Sequence, residues 1–109
     1  MKASSEKPCY DLRQAQRMVR QGRLCETKKS TAWLRFHGYG PSVARRVLLQ
    51  LRDEEFVRSL PPKREGGAWA DVYRIDYADD ELACELYLKF VVEAEQVVLM
   101  SCKEWGYSW

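Results

Sequence analysis

The stretch ELYLKFVVEAEQVVLMSCKE, residues 85 to 104, holds the key to the architecture. Leu86, Leu88, Phe90 and Val92 recur at every second position, with Glu85, Tyr87, Lys89 and Val91 between them. A period of two is that of a strand with one buried face. After the polar break EAE comes a second apolar run, Val97 to Cys102, so the stretch reads as two antiparallel strands joined by a tight turn. With the turn centred on Ala94, Leu86, Leu88 and Phe90 pair with Cys102, Met100 and Val98, an apolar set, and Tyr87 lies opposite Ser101 and diagonal to Lys103. Sliding the register by one residue would turn Lys103 into the Leu86 to Phe90 face, where burying an ammonium is costly. Tyr87 and Lys103 are therefore expected on the open face, about 7–8 Å apart as diagonal neighbours and within reach of one phosphate.

Working back from this hairpin, residues 69–77, 83–92 and 96–103 all read as strands, with an acidic turn at 78–81. In WADVYR, residues 69–74, the aromatics Trp69 and Tyr73, followed by Ile75, join the core face. Ala70, Val72 and Arg74 join Tyr87, Lys89 and Lys103 on the other. Asp71 is an exception, a carboxylate on the packed side that requires a helix cation or a backbone N–H. Before the loop KREGG, residues 63–67, the period is helical. Asp11 caps a helix over 11–21 that Gly22 stops; a second runs from Lys28 to about His37 with Thr27 as its cap; a third starts at Pro41 and carries Val43, Val47, Leu48 and Leu51. DEEFVRSL, residues 53–60, reads as a short fourth turn or helix closed by Pro61 and Pro62. Arg23 to Glu26 is open between loop and short strand. Helices first and strands after them give an α+β fold, N-terminal helices packed on a C-terminal antiparallel sheet.

The 109 residues suffice for one domain spanning 1–109. Hydrophobic residues at 46% and charged residues at 31% argue against wholesale disorder. No apolar run approaches the roughly 18–20 residues that cross a bilayer, and the opening MKASSEKP lacks the apolar stretch of a signal peptide, so a cytoplasmic protein without membrane contact is expected. Cys9, Cys25, Cys84 and Cys102 are scattered without a C-x-x-C pair, and the one histidine, His37, cannot complete a usual zinc set. They are expected as reduced thiols, with no metal and no cofactor. The formal net charge of +2 permits a polyanionic partner without demanding one. Basic residues crowd the first two thirds of the chain, and no helix carries a recognition-helix signature, so direct DNA binding is not expected.

A tyrosine beside several cations, with no histidine or metal cluster, is an inventory suited to RNA. RNA carries its own nucleophile, the 2′-hydroxyl; a protein cleaves it by orienting that group, stabilising the phosphorane and protonating the leaving 5′ oxygen. Cations near Tyr87 are expected to lower its pKa from about 10 toward a useful range. On the residues alone, the face reads first as an ordinary solvated strand surface and only second as a catalytic one. His37, at a helix end beside Phe36, reads as structural.

From about residue 8 to residue 104 the chain resembles the MqsR family of type II toxin–antitoxin toxins, whose fold is related to the RelE and YoeB toxins. The resemblance is carried by LRQAQRMVRQGRL (12–24), DEEFVRSL (53–60), WADVYR (69–74), LYLKF (86–90) and SCKE (101–104). It implies a metal-independent endoribonuclease that cleaves mRNA at short GC-containing sequences, inhibits translation, and is neutralised by an antitoxin, MqsA-like or other. Carried over residue by residue, it places catalytic positions at Tyr87, Lys103 and Arg58, the last replacing a lysine in the short helix. Arg74 and Lys89, on the same open face, are expected as secondary RNA contacts. A site glutamine of the family falls on Ala70, which neither orients a hydroxyl nor donates to a phosphate. That loss motivates a rival reading, a non-catalytic RNA- or antitoxin-binding module that keeps the toxin fold. The tail WGYSW, residues 105–109, lies beyond the resemblance. Its alternating Trp105, Tyr107 and Trp109 read as a cover for a sheet edge or a partner contact, with base stacking as the alternative.

Overall fold

A computed structural model describes residues 5–40, 42–80 and 82–106. The helices are α1 (Leu12–Arg20), α2 (Ala32–Phe36) and α3 (Val43–Gln50), and the strands β1 (Leu24–Glu26), β2 (Phe56–Leu60), β3 (Ala70–Ala78), β4 (Ala83–Glu93) and β5 (Gln96–Glu104). They form one five-stranded sheet in the order β1-β5-β4-β3-β2 with an α+β arrangement. Among the described residues no helix is long and apolar enough to cross a membrane.

The helices begin and end for local reasons. Asp11 accepts a hydrogen bond from the Arg13 N–H at the start of α1, and Gly22 supplies a positive φ of 80° just past its end. Thr27 and Ser30 exchange side-chain-to-backbone bonds ahead of α2, which delays that helix to Ala32 and leaves it shorter than the expected 28–37. Pro41, expected in the first turn of α3, lies outside the described residues. Val43, Val47 and Leu48 on α3 are buried against the sheet together with Leu12, Ala15 and Val19 on α1 and Trp33 and Leu34 on α2. Gln16 closes the C-terminal end of α3: its amide donates to the carbonyls of Leu48 and Leu51 at 3.0 and 2.9 Å.

Two corrections concern the strands. The sheet is mixed rather than antiparallel, because β1 pairs in parallel with β5 at its edge. Residues 53–60 form a short turn only at their start and no fourth helix: a single 3₁₀ turn at Asp53–Glu55 gives way to β2, antiparallel to β3. The DEE run favours a helical start, but Phe56 and Leu60 gain more by joining β3, where Phe56 meets Tyr73 edge-on with ring centroids 5.5 Å apart.

A third correction concerns the hairpin. Its turn is a two-residue loop at Ala94 and Glu95, with φ of 51° and 60°, so Glu93 pairs with Gln96. Near the turn Val92 and Phe90 therefore meet Val97 and Leu99, not the residues a three-residue turn would give. The register then shifts between Lys89 and Phe90, leaving Met100 unpaired in the ladder and 43% exposed. Beyond that bulge Leu88 meets Cys102, Lys89 meets Ser101 and Tyr87 meets Lys103 directly. Val97, Leu99 and Cys102 thus all face the helices.

Asp71 is buried on the packed side of β3. It accepts from the backbone N–H groups of Cys9 and Tyr10 at 3.0–3.1 Å and from the Ser59 hydroxyl. Ser5 and Ser59 add a pair of backbone bonds that cap the outer edge of β2. Trp69 supplies a carbonyl to the Tyr10 hydroxyl at 2.6 Å.

Candidate functional site

With the helices on one side, the other side of the sheet is open, and its side chains come from alternate positions of β3, β4 and β5. Arg74 on β3, Tyr87 on β4 and Lys103 on β5 form one row across it. Val72, Lys89 and Ser101 form the next, and Arg58 on β2 is paired with Val72. All five residues singled out from sequence, Tyr87, Lys103, Arg58, Arg74 and Lys89, thus fall on four neighbouring strands, β2 to β5. Arg58 comes from a strand and not from the short helix the resemblance implied, because that segment is β2.

Tyr87 and Lys103 are closer than the diagonal register predicted. Directly opposite residues have Cβ atoms about 4.5–5.5 Å apart, and the Lys103 ammonium lies over the Tyr87 ring, 5.5 Å from its centroid. The Met100 bulge produces this pairing.

Burial pushes the Tyr87 phenol above its ordinary value of 10, with the Arg58 charge pulling back the other way. This reverses the expectation that neighbouring cations would lower it: desolvation of the phenolate outweighs them. The group is a proton donor at neutral pH. Lys103 is shifted down from 10.5 by burial and then by repulsion from Lys89 and Lys29, and Lys89 likewise by burial, Lys63 and Lys29. Two lysines not singled out from sequence therefore belong to the same field. Lys29, just before α2, and Lys63, in the β2–β3 loop, are brought there by tertiary structure, which no local spacing announces.

Arg74 is engaged within the protein. Its guanidinium donates to Glu85 Oε1 at 2.6 Å and stacks on the Trp105 ring, 4.4 Å from the centroid. Trp105 continues the alternation from Lys103, and its backbone N–H donates to the Glu85 carbonyl at 2.8 Å. Its ring therefore comes over the open face, 5.7 Å from that of Tyr87, rather than covering the sheet edge. Tyr107 and Trp109 lie outside the described residues.

Between these groups is a cleft of about 220 Å³ lined by Val57, Arg58, Leu60, Val72, Tyr87 and Trp105. Ala70 is 6% exposed, opposite Leu60, and offers no polar group. His37 sits elsewhere, at the C-terminal cap of α2, with its ring tilted against that of Trp33, centroids 4.3 Å apart, and Nδ1 2.8 Å from the Trp33 carbonyl oxygen. Among the described residues no group of three His, Cys, Asp or Glu side chains is arranged to hold a metal ion.

A phenol that keeps its proton, set among lysines and an arginine, is suited to an anionic oxygen: the cations attract it and the phenol donates to it. Comparison with curated proteins finds no match. Residues 7–104 match the family described as motility quorum-sensing regulator, toxin of MqsA, and the chain belongs to this family of toxin–antitoxin toxins.

Proposed function

We propose that the toxin acts as an endoribonuclease on mRNA in the cytoplasm, with Tyr87, Lys103 and Arg58 as its catalytic residues and a cognate antitoxin as its inhibitor. The observation that carries this reading is the direct cross-strand pairing of Tyr87 with Lys103 beside a cleft that Arg58 lines. The 2′ oxygen attacks the adjacent phosphorus and its proton goes to solvent; the bond from phosphorus to the 5′ oxygen breaks, and that oxygen takes a proton. Lys103 and Arg58 stabilise the charge that builds on the phosphoryl oxygens. Tyr87, held protonated by burial, donates to the phosphoryl group or to the departing oxygen. Lys89 holds a flanking phosphate, and Lys29 and Lys63 extend the positive field. Arg74 acts through Trp105 more than on phosphate, since Glu85 already neutralises it. The products are a 2′,3′-cyclic phosphate and a 5′-hydroxyl.

Ala70 favours a second reading, a toxin-fold module that binds RNA or antitoxin without cutting. Its methyl group lies at the position where the resemblance places a glutamine, and it cannot orient a hydroxyl.

Incubating the purified protein with a long mRNA in EDTA, and mapping new ends by primer extension, separates the two. Discrete cuts with 5′-hydroxyl ends, lost in Tyr87→Phe and Lys103→Ala, are expected. Ends bearing 5′-phosphate, or cuts abolished by EDTA, would remove this mechanism. Intact RNA despite measurable binding, on free mRNA and on translating ribosomes alike, would establish the silent module.

A further inference from the structure

Most of the cleft beside Tyr87 is walled by groups that a phosphate cannot use. Val57, Leu60 and Val72 are aliphatic, Tyr87 and Trp105 aromatic, and of these six described residues Arg58 alone is charged. Lys89 and Lys103 are on the same face but do not line it. A phosphate is drawn to the lysines; an apolar and aromatic slot next to them suits the other half of a nucleotide. At about 220 Å³ the cleft is smaller than the roughly 300 Å³ at which sites for drug-sized ligands begin, which fits one planar ring and not a dinucleotide.

Trp105 is held for such a role from two sides. Its backbone N–H is fixed by the Glu85 carbonyl, and its ring is covered by the Arg74 guanidinium, which the Glu85 carboxylate anchors. A ring constrained in this way loses little freedom when a base stacks on it.

We propose that this cleft takes one nucleobase of single-stranded RNA, packed against Trp105, beside the phosphate held by Lys103 and Arg58. The inference rests on reading the open face as an RNA site. It adds a base-binding subsite built with a residue past the end of the family match at 104. The base contributes affinity and positions the scissile phosphate, and Arg74 with Glu85 keeps the tryptophan in place.

The test uses the full chain and a short single-stranded RNA, 2′-O-methylated throughout so that it cannot be cut, with affinity read by fluorescence polarisation. Trp105→Ala is expected to weaken binding about 5- to 140-fold, the range for truncating a base-stacking aromatic. The slope of log affinity against log salt stays unchanged, because no phosphate contact is removed. Trp105→Phe, which keeps a ring, recovers most of the loss. In a series of RNAs with one abasic position each, one position weakens wild-type binding and has no further effect on Trp105→Ala. Equal affinity for all abasic RNAs on the wild-type protein overturns the proposal, even if Trp105→Ala fails to fold. So does a Trp105→Ala loss that comes with a reduced salt slope. Cutting of unmodified RNA is scored separately: no cutting with the Trp105 effect intact supports the subsite and removes only the ribonuclease reading, whereas cutting without that effect removes only the subsite.

Discussion

Leu86, Leu88 and Phe90 are completely buried, while Tyr87 and Lys89, interleaved with them on the same strand, remain partly open to solvent. The two faces of β4 hold their residues for different reasons. The inner face works by area: each side chain packs among many, as Phe90 does with Tyr73, ring centroids 5.7 Å apart, and each contributes a share of one core. The outer face works by position, with a few groups that gain little for stability. In such a protein, damage to function and damage to fold should separate cleanly between odd and even positions of one strand.

The largest expected effect tests the outer face. Tyr87→Phe and Lys103→Ala should each slow RNA cutting by roughly 100-fold or more, the usual loss on removing a catalytic donor or charge. Their melting temperatures should stay close to wild type. A variant that unfolds as it loses activity would erase the contrast. On the inner face, Leu88→Ala should cost about 3 kcal/mol in urea unfolding, with cutting per folded molecule preserved. Asp71→Ala should behave like a core truncation despite its charge, losing about 2–3 kcal/mol, because it strands the Cys9 and Tyr10 N–H groups without an acceptor.

A smaller effect sharpens the outer face by titration. With rising pH the Lys103 charge is lost below the ordinary lysine value, because burial and then Lys89 and Lys29 disfavour it. Tyr87 keeps its proton past the ordinary tyrosine value, because burial disfavours the phenolate. The cutting rate at saturating RNA should thus fall on an alkaline limb set by Lys103. Lys89→Met removes a like charge, raises the Lys103 pKa and should move that limb to higher pH; a limb that stays put or moves down would detach Lys103 from the rate. The smallest effect lies at the hairpin end, away from both faces. Glu95→Gly relieves a positive φ of 60° and should stabilise the protein by about 1 kcal/mol with cutting unchanged.

Much of this contrast was legible in the chain. The period of two through Leu86 to Val92 separated the faces, and the wish to keep Lys103 out of the core put it beside Tyr87. Three things were hidden. FVRSL follows an acidic run and precedes two prolines, so its strand form depends on β3, which is remote in sequence. The parallel pairing of LCE with β5 covers three residues, too few for any periodicity to register. Lys29 and Lys63 reach the site through loops whose paths are set by packing. The reach of Trp105 had a signal, since it extends the parity of Lys103, but its partners Arg74 and Glu85 emerge only with the sheet assembled.

The bulge at Met100 gives the hairpin a dependence on counting rather than on chemistry. Between the turn and Lys103 the ladder carries one surplus residue, and its accommodation in a bulge decides which side of the sheet everything after it faces. Deleting Met100 alone would take away no site residue and no core volume. With the ladder kept in phase from the turn, the bulge closes and Ser101, Cys102 and Lys103 still meet Lys89, Leu88 and Tyr87, so both faces are kept. An extra residue there, with the same one-residue bulge, would instead turn Lys103 and Trp105 toward the helices and Cys102 toward solvent. Chain length between Gln96 and Ser101 is thus itself a functional parameter: a single-residue insertion there should inactivate, whereas deletion of Met100 should be tolerated.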